Sequence, residues 1–314
     1  MAKHLTFTIL FQGRNLNYGE SVGTVGTLKK HYRDGRVHSY LSRQALRYSL
    51  IEILASWDKK WKTKVEGEGK TLQYSYSATI KDNPELDLFG YMKTKSSKDK
   101  KKEGEDSKEK TMLRPAPVRI SDATSLEAWN SETAFNNNMG LMRRTGSDSL
   151  GLIPYQYESH MSWYTYTVTI DLENIGKNEN SEEVVIDEKE RFKRISTLLD
   201  GIKCLYRDIR GRREDLSPIF IIGGVTGTGN PIFYNLLKVD YKNNADTLNV
   251  ETIKSRMNIT APPENKPIRD EIRVGFTSGI FGNEGDIKNL PNATTVEEFF
   301  NAIKQDISKV YGVA

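Results

Sequence analysis

The chain has 314 residues, 37% of them hydrophobic and 28% charged, with a formal net charge of +4 and one cysteine. That length buries a sizeable core, as one large domain or one domain with insertions, and the balance is that of a soluble globular protein. An internal disulfide is excluded. The apolar run Ile219-Phe220-Ile221-Ile222 is far too short to cross a bilayer, and no signal peptide is read at the start, so a reducing, cytoplasmic setting without membrane contact is expected.

Residues 4–11 alternate polar and apolar and predict a half-buried strand. Gly13, Gly19, Gly23 and Gly26 then punctuate a loop, and a helix follows from Ser39 or Ser42, either of which suits an N-cap. Leu46, Leu50, Ile53, Leu54 and Trp57 fall on one helical face; Arg43 and Arg47, one turn apart, share the other. Residues 12–50 hold seven cations (Arg14, Lys29, Lys30, Arg33, Arg36, Arg43, Arg47) against Glu20 and Asp34, while the rest of the chain sums to −1. A local basic excess on a near-neutral body is the electrostatic footprint of a polyanion site, although a solvated charged surface gives the same count.

Residues 58–115 form an insertion whose stretch Lys93–Lys110 has eight lysines, five acids and no aliphatic residue, and is expected to be mobile. A second irregular region, 121–160, contains Asn136-Asn137-Asn138-Met139-Gly140-Leu141-Met142-Arg143-Arg144. Trp163 to Ile170 alternates β-branched and aromatic residues as a strand does. Asp187 with Glu190 marks a helix start, and Phe192, Ile195, Leu198, Leu199, Ile202 and Leu205 carry the period to about Arg210, with Gly211 as the stop. Cys204 in that stretch is expected to be a buried core thiol. Strands near 218–225 and 231–241 are joined by the glycine-rich run 223–229, Ile272 to Phe276 is a further strand, and Thr295 with Glu298 opens a closing helix through a capping box. The order is α+β, without internal repeats, and allows a ferredoxin-like palm carrying two long insertions.

Few of these segments carry enzymatic signals. The run 223–229 lacks the Walker lysine and leads into a β-pattern, so a hairpin that lets another backbone approach is expected in place of a nucleotide loop, and no cofactor is implied. His4, His31, His38 and His160 are scattered, and no metal-binding spacing or GxSxG elbow is present. His31 and His38 with Asp34 between them are residue types a ribonuclease uses as acid, base or metal ligand. The plainer reading is that they line the basic loop. The strongest signal is Ser42, Arg43, Gln44 and Arg47 in the first turns of a helix after a basic, glycine-rich loop, a pattern that holds sugar-phosphate without reading bases.

The stretch Gly35-Arg36-Val37-His38-Ser39-Tyr40-Leu41-Ser42-Arg43-Gln44-Ala45-Leu46-Arg47 resembles the signature helix of backbone subunits of the CRISPR Cascade complex, particularly the DevR-like, type I-B branch of the RAMP superfamily. Arg14-Asn15-Leu16-Asn17, the strand exit Ile170-Asp171-Leu172-Glu173-Asn174-Ile175 and the glycine-rich segment near 223 add to the likeness. The resemblance implies an RRM-like palm (1–57 and 161–314), a fingers insertion (58–115) and a β-hairpin thumb (116–160). It also implies a non-enzymatic subunit that stacks into a helical filament with other Cascade subunits. Such a subunit grips the crRNA backbone and presents bases to target DNA in antiviral defence. Carried over by position, Ser42, Gln44 and Arg47, with Arg43 beside them, are crRNA-contacting, as are Arg14, Lys29, Lys30, Arg33 and Arg36 through the loop. Met139, Leu141, Met142, Arg143 and Arg144 supply the thumb wedge. Where the family carries a second basic residue after Arg47, this chain has Tyr48. The alternatives are a target-RNA endonuclease using Asp34, a repeat-RNA endonuclease using His31 or His38, and a duplex-DNA regulator.

Overall fold

His4–Arg14 forms the central strand, β1, and the alternation of its side chains dictates two cores. Leu5, Phe7, Ile9 and Phe11 point into one; Leu10, with Thr6 and Thr8 beside it, faces the other. The computed structural model describes residues 3–68, 71–94, 111–137, 139–146, 154–177, 186–261 and 266–313, a strand-rich α+β arrangement with seven α-helices among them.

The other strands of the main sheet are β2 (Lys30–Arg33), β3 (Arg36–Leu41), β4 (Val118–Ile120), β5 (Ala123–Ser125), β6 (Met161–Asp171), β7 (Phe220–Thr226), β8 (Arg273–Phe276) and β9 (Ala293–Thr295). The helices are α1 (Arg43–Trp57), α2 (Pro84–Phe89), α3 (Met139–Thr145), α4 (Glu188–Lys203), α5 (Val250–Met257), α6 (Glu284–Lys288) and α7 (Val296–Tyr311). The spatial order is β9-β8-β7-β1-β6-β5-β3-β2, with β4 also pairing β6. All neighbours are antiparallel except β8 and β9. In chain order β1, α1, β4 with β5, β6, α4 and β7 alternate as strand, helix, two strands, helix, strand.

Helices α1, α4 and α7 cover one face of the main sheet, where Leu46, Leu50, Leu54, Leu198, Ile202, Phe299 and Ile303 share a core with side chains of β1 and β6, and α7 lies over β7 and β8. Each such side chain contributes about 1.5–3 kcal/mol of burial. The opposite face is covered over β7 and β8 by residues from 232 to 290, including Phe233, Ile253 and Phe281. Gly223 and Gly224 make this β7 packing possible: a Cβ on Gly223 would lie 2.1 Å from the carbonyl oxygen of Thr6, and one on Gly224 1.9 Å from that of Glu271. The expected close backbone approach is therefore present, but inside a strand.

A second sheet, in the order Glu132–Asn136, Tyr155–Ser159, Val25–Leu28, Tyr18–Val22, joins two hairpins through a parallel pair in which Gln156 meets Val25 and Tyr157 meets Gly26. The insertion is anchored by Asp87, which is fully buried. Its carboxylate pairs with Arg114 at 2.7 Å and Arg194 at 2.9 Å, and accepts the Gly176 N–H at 2.9 Å.

Several expected elements are corrected. The glycine-punctuated loop is two hairpins: Gly23 takes φ 60°, and Asp34 and Gly35 take 50° and 75°, the left-handed pair of a tight β-turn. Helix α4 stops at Lys203, not Arg210. Tyr206–Ile209 and Arg212–Asp215 form a hairpin, with Arg210 and Gly211 at φ 47° and 75° as its turn. Cys204, at the end of α4, is exposed, not a core thiol. Trp57 is 51% exposed because α1 ends there, beyond the reach of the sheet. No strand spans 231–241; Val239–Lys242 pairs locally with Ala245–Leu248. Residues 118–125 lie in the main sheet, where Val118 and Ile120 face Ile170 and Val168 of β6, although they fall within the span 116–160. The lysine-rich tract from 95 to 110 lies outside the described residues. Ser42 caps α1 and Thr295 caps α7 with Glu298, both as expected.

Candidate nucleic-acid interface

The first turn of α1 is set up by its neighbours. Ser42 Oγ accepts the Ala45 N–H at 3.4 Å and the Asn17 Nδ2–H at 3.2 Å, so this hydroxyl serves the cap. The Arg43 N–H donates to Asp122 Oδ1 at 2.7 Å. A carboxylate thus rests on the positive end of the helix, where an anion is favoured. The Arg43 and Gln44 side chains project from this end, exposed and without a hydrogen-bond or ion-pair partner among the described residues.

Beside it stands the β2–β3 hairpin. Arg33 lies opposite Arg36 and His31 opposite His38, while the Tyr40 N–H donates to the Lys29 carbonyl at 3.0 Å. Strand alternation places these three cross-strand pairs on one face, Arg-Arg, His-His and Lys-Tyr in succession. The rings of His31 and Tyr40 are 5.4 Å apart and those of His31 and His38 are 6.3 Å apart. His38 is buried, and its Nδ1–H donates to the Ser125 carbonyl at 2.9 Å. His31 is held below the ordinary histidine range, mainly by burial and then by His38 and Arg33, with Asp122 opposing. Asp122 therefore links the end of α1 to the hairpin.

Lys29, Arg33 and Arg36 thus share one face of the hairpin whose second strand leads into Arg43 and Gln44 at the start of α1. Other expected contacts lie elsewhere. Lys30 is on the opposite hairpin face, 2.5 Å from Glu158 and 3.7 Å over the Trp129 ring. Arg47 turns to the insertion, bonded to Tyr74 at 2.5 Å and Glu85 at 3.1 Å, over Phe89. That site pushes the Tyr74 hydroxyl up to about 12, through burial first and Glu85 among the lesser causes. Arg14, at the end of β1, reaches Ser159 at 3.4 Å. Met139, Leu141, Met142, Arg143 and Arg144 fall on α3, which follows Glu132–Asn136 in the second sheet; Met139 is 40% exposed. Asp34 sits on the hairpin turn, its side chain 84% exposed and 3.3 Å from Arg33. Among the described residues no three His, Cys, Asp or Glu side chains gather as a metal site would require.

Three positioning features escape the sequence pattern. Arg207 donates to the Leu16 carbonyl at 2.9 Å and Ser49 Oγ at 3.1 Å, tying α1 to the loop after β1. Arg210 lies 3.6 Å over the Tyr18 ring, against Gly26, where a Cβ would meet its guanidinium at 2.5 Å. Under β3, Ser39 Oγ contacts His160 Nδ1 at 2.7 Å and Tyr164 Oη at 2.6 Å. Burial pushes the Tyr164 hydroxyl up and the His160 imidazole down. Both arginines belong to the segment predicted as helix; the Arg210-Gly211 turn is the signal that reads as a hairpin.

Fold and surface together define an α+β protein with a cationic, aromatic-flanked sheet edge beside a helix N-terminus. Its solved likenesses are chains of a CRISPR RNA-guided surveillance complex (TM-score 0.57, 9% identity, covering 96% of this chain and 99% of that one) and of a CRISPR RNA-guided surveillance complex in a pre-nicking state (TM-score 0.55, 9% identity, 97% and 100%). At that identity the likeness is one of fold. The family is shown by sequence: residues 5–247 match the model of the CRISPR-associated negative auto-regulator DevR/Csa2 family, and the chain belongs to it. A relative, the CRISPR-associated protein Cas7/Cst2/DevR of Myxococcus xanthus (strain DK1622), is 27% identical over 169 residues; the alignment spans 49% of this chain and about half (52%) of that protein. No helix of the described residues is long and apolar enough to cross a membrane.

Proposed function

We propose that this chain is a Cascade-type backbone subunit that binds the sugar-phosphate of a guide crRNA, polymerises along it with other copies and other Cascade subunits, and presents its bases to target DNA. The path β1, α1, β4–β5, β6, α4, β7, with β7, β1, β6 and β4–β5 side by side, supports a ferredoxin-like palm. The hairpin from Glu132 to Ser159 supports a thumb carrying α3.

One observation carries the reading: Lys29, Arg33 and Arg36 line one face of the hairpin that leads into α1, Arg43 stands exposed at the helix end that follows, and neither Arg36 nor Arg43 has an ion-pair partner among the described residues. Such a surface neutralises phosphates without selecting bases. A scaffold role fits it better than a nuclease, because Asp34 is a solvent-exposed turn residue already paired with Arg33.

The test is charge reversal at the free cations, Arg36→Glu with Arg43→Glu. Loss of two phosphate contacts is expected to lower affinity for single-stranded RNA at least tenfold and to flatten its salt dependence by about 1.4 in log–log slope. Circular dichroism should be unchanged. Undiminished affinity in the folded variant refutes the proposal, and discrete cleavage of pure RNA by the wild-type chain, abolished by Asp34→Ala, favours the nuclease.

A further inference from the structure

The hairpin face has a gap in its charge. Lys29, just before β2, and Arg33, at its end, lie two residues either side of His31, so a cationic position would recur about every 7 Å if His31 were charged. Its cross-strand neighbours do not fill the gap: His38 is buried and committed through Nδ1–H to the Ser125 carbonyl, and Tyr40 presents an aromatic ring, not a cationic side chain. The groups facing His31 are His38 and Tyr40 from β3, Arg33 from its own strand and Asp122 from the β4–β5 junction. In the free chain partial burial, and after it His38 and Arg33, outweigh Asp122 and hold the imidazole below the ordinary histidine range. An anion laid along the Lys29–Arg33 row reverses that balance, since it adds negative charge beside a half-exposed ring while displacing none of the cations.

We infer that His31 is a proton-linked phosphate contact at the centre of this row, so that the chain takes up a proton when it binds single-stranded RNA and holds the strand more tightly as pH falls. This rests on the guide-binding reading. It gives His31 a binding role distinct from that of a ribonuclease base, which would lose function on protonation. Neither His31 ring nitrogen has a hydrogen-bond partner among the described residues, and the Tyr40 ring flanks the imidazole at 5.4 Å.

The sign follows from linkage. A histidine whose proton affinity rises on complex formation makes binding stronger below its bound-state value, with a limiting slope of about one decade in affinity per pH unit for one proton. The experiment measures binding of a short fluorescent oligouridylate, whose bases do not titrate in the range, by anisotropy at constant ionic strength. Between about pH 8 and about pH 6 the wild-type chain should gain about three- to tenfold in affinity, and His31→Gln should show a flat profile. Titration calorimetry in two buffers of different ionisation enthalpy should find proton uptake in the wild type and none in His31→Gln. A gradient that persists unchanged in His31→Gln, or a flat wild-type profile with normal affinity, overturns this inference alone. Absence of RNA binding at every pH by the folded chain overturns the guide-binding reading and the inference with it.

Discussion

Replacing Asp87 by alanine should loosen the insertion from the palm helices. The carboxylate is completely enclosed, and the Arg114 and Arg194 side chains it neutralises are 2% and 3% exposed. Removing one partner of such an arrangement leaves uncompensated buried charge, which costs about 3–5 kcal/mol. The lower end applies here. Arg194 keeps Glu190 at 3.0 Å and the carbonyls of Ile80 and Lys81 at 2.7 and 2.6 Å, while Arg114 keeps the Asn174 carbonyl at 3.0 Å and that of Lys177. Melting entropy is about 2.1 cal/mol/K per residue, so a loss of about 3 kcal/mol in a chain of this length lowers Tm by about 4–5 °C. Differential scanning calorimetry checks the shift, and limited proteolysis should place the new cleavage between residues 58 and 115. Removal of the exposed partner alone, Glu190→Gln, should cost under about 1 kcal/mol. An Asp87→Ala protein melting within about 1 °C of wild type, cut nowhere new, would refute the view that this carboxylate anchors the insertion.

Asp122→Asn keeps an acceptor for the Arg43 N–H but removes the charge from the helix end; relieving that competition should raise RNA affinity about two- to fivefold in filter binding. His160 is held below the usual value in the folded chain by burial and then by His38, whereas the unfolded chain takes up its proton at about 6.5. Stability should therefore fall as pH drops through about 6.5 towards the folded-state value, by at most about 1.4 kcal/mol per pH unit from this group, and His160→Gln should show a shallower decline in urea melts. Gly223→Ala directs a methyl group at the Thr6 carbonyl and the Phe7 backbone, which cannot move without breaking the β1–β7 ladder. It should cost more than Asp87→Ala, and soluble, wild-type-like melting would contradict the close approach.

Elements with a strong period were legible in the residues: β1, β6, α1 after Ser42, and α7 after Thr295 all form as patterned. What escaped is what the third dimension decides. The stretch from Ile195 to Leu205 has an apolar period that overruns the helix, because Leu205 is buried in the core from outside α4. The polar Tyr206–Asp215 hairpin has no apolar alternation to announce it; its strands are held by pairing and by Arg207 and Arg210 against the loop after β1. Within the site, the cluster of cations was visible as composition, but strand parity separated Lys29 and Arg33 from Lys30, and tertiary partners claimed Arg47. Asp122 could not be foreseen, since its significance comes from a hydrogen bond across seventy-nine positions of chain.

The parallel pairing of Val25–Leu28 with Tyr155–Ser159 has a mechanical consequence. Since α3 follows a strand of the same small sheet whose other half leads directly into Lys29 and the cationic hairpin, a displacement of the Glu132–Ser159 hairpin should carry Val25–Leu28 with it, next to the point where Arg210 packs against Gly26. A ligand seated on α3 should therefore shift the cationic hairpin as well.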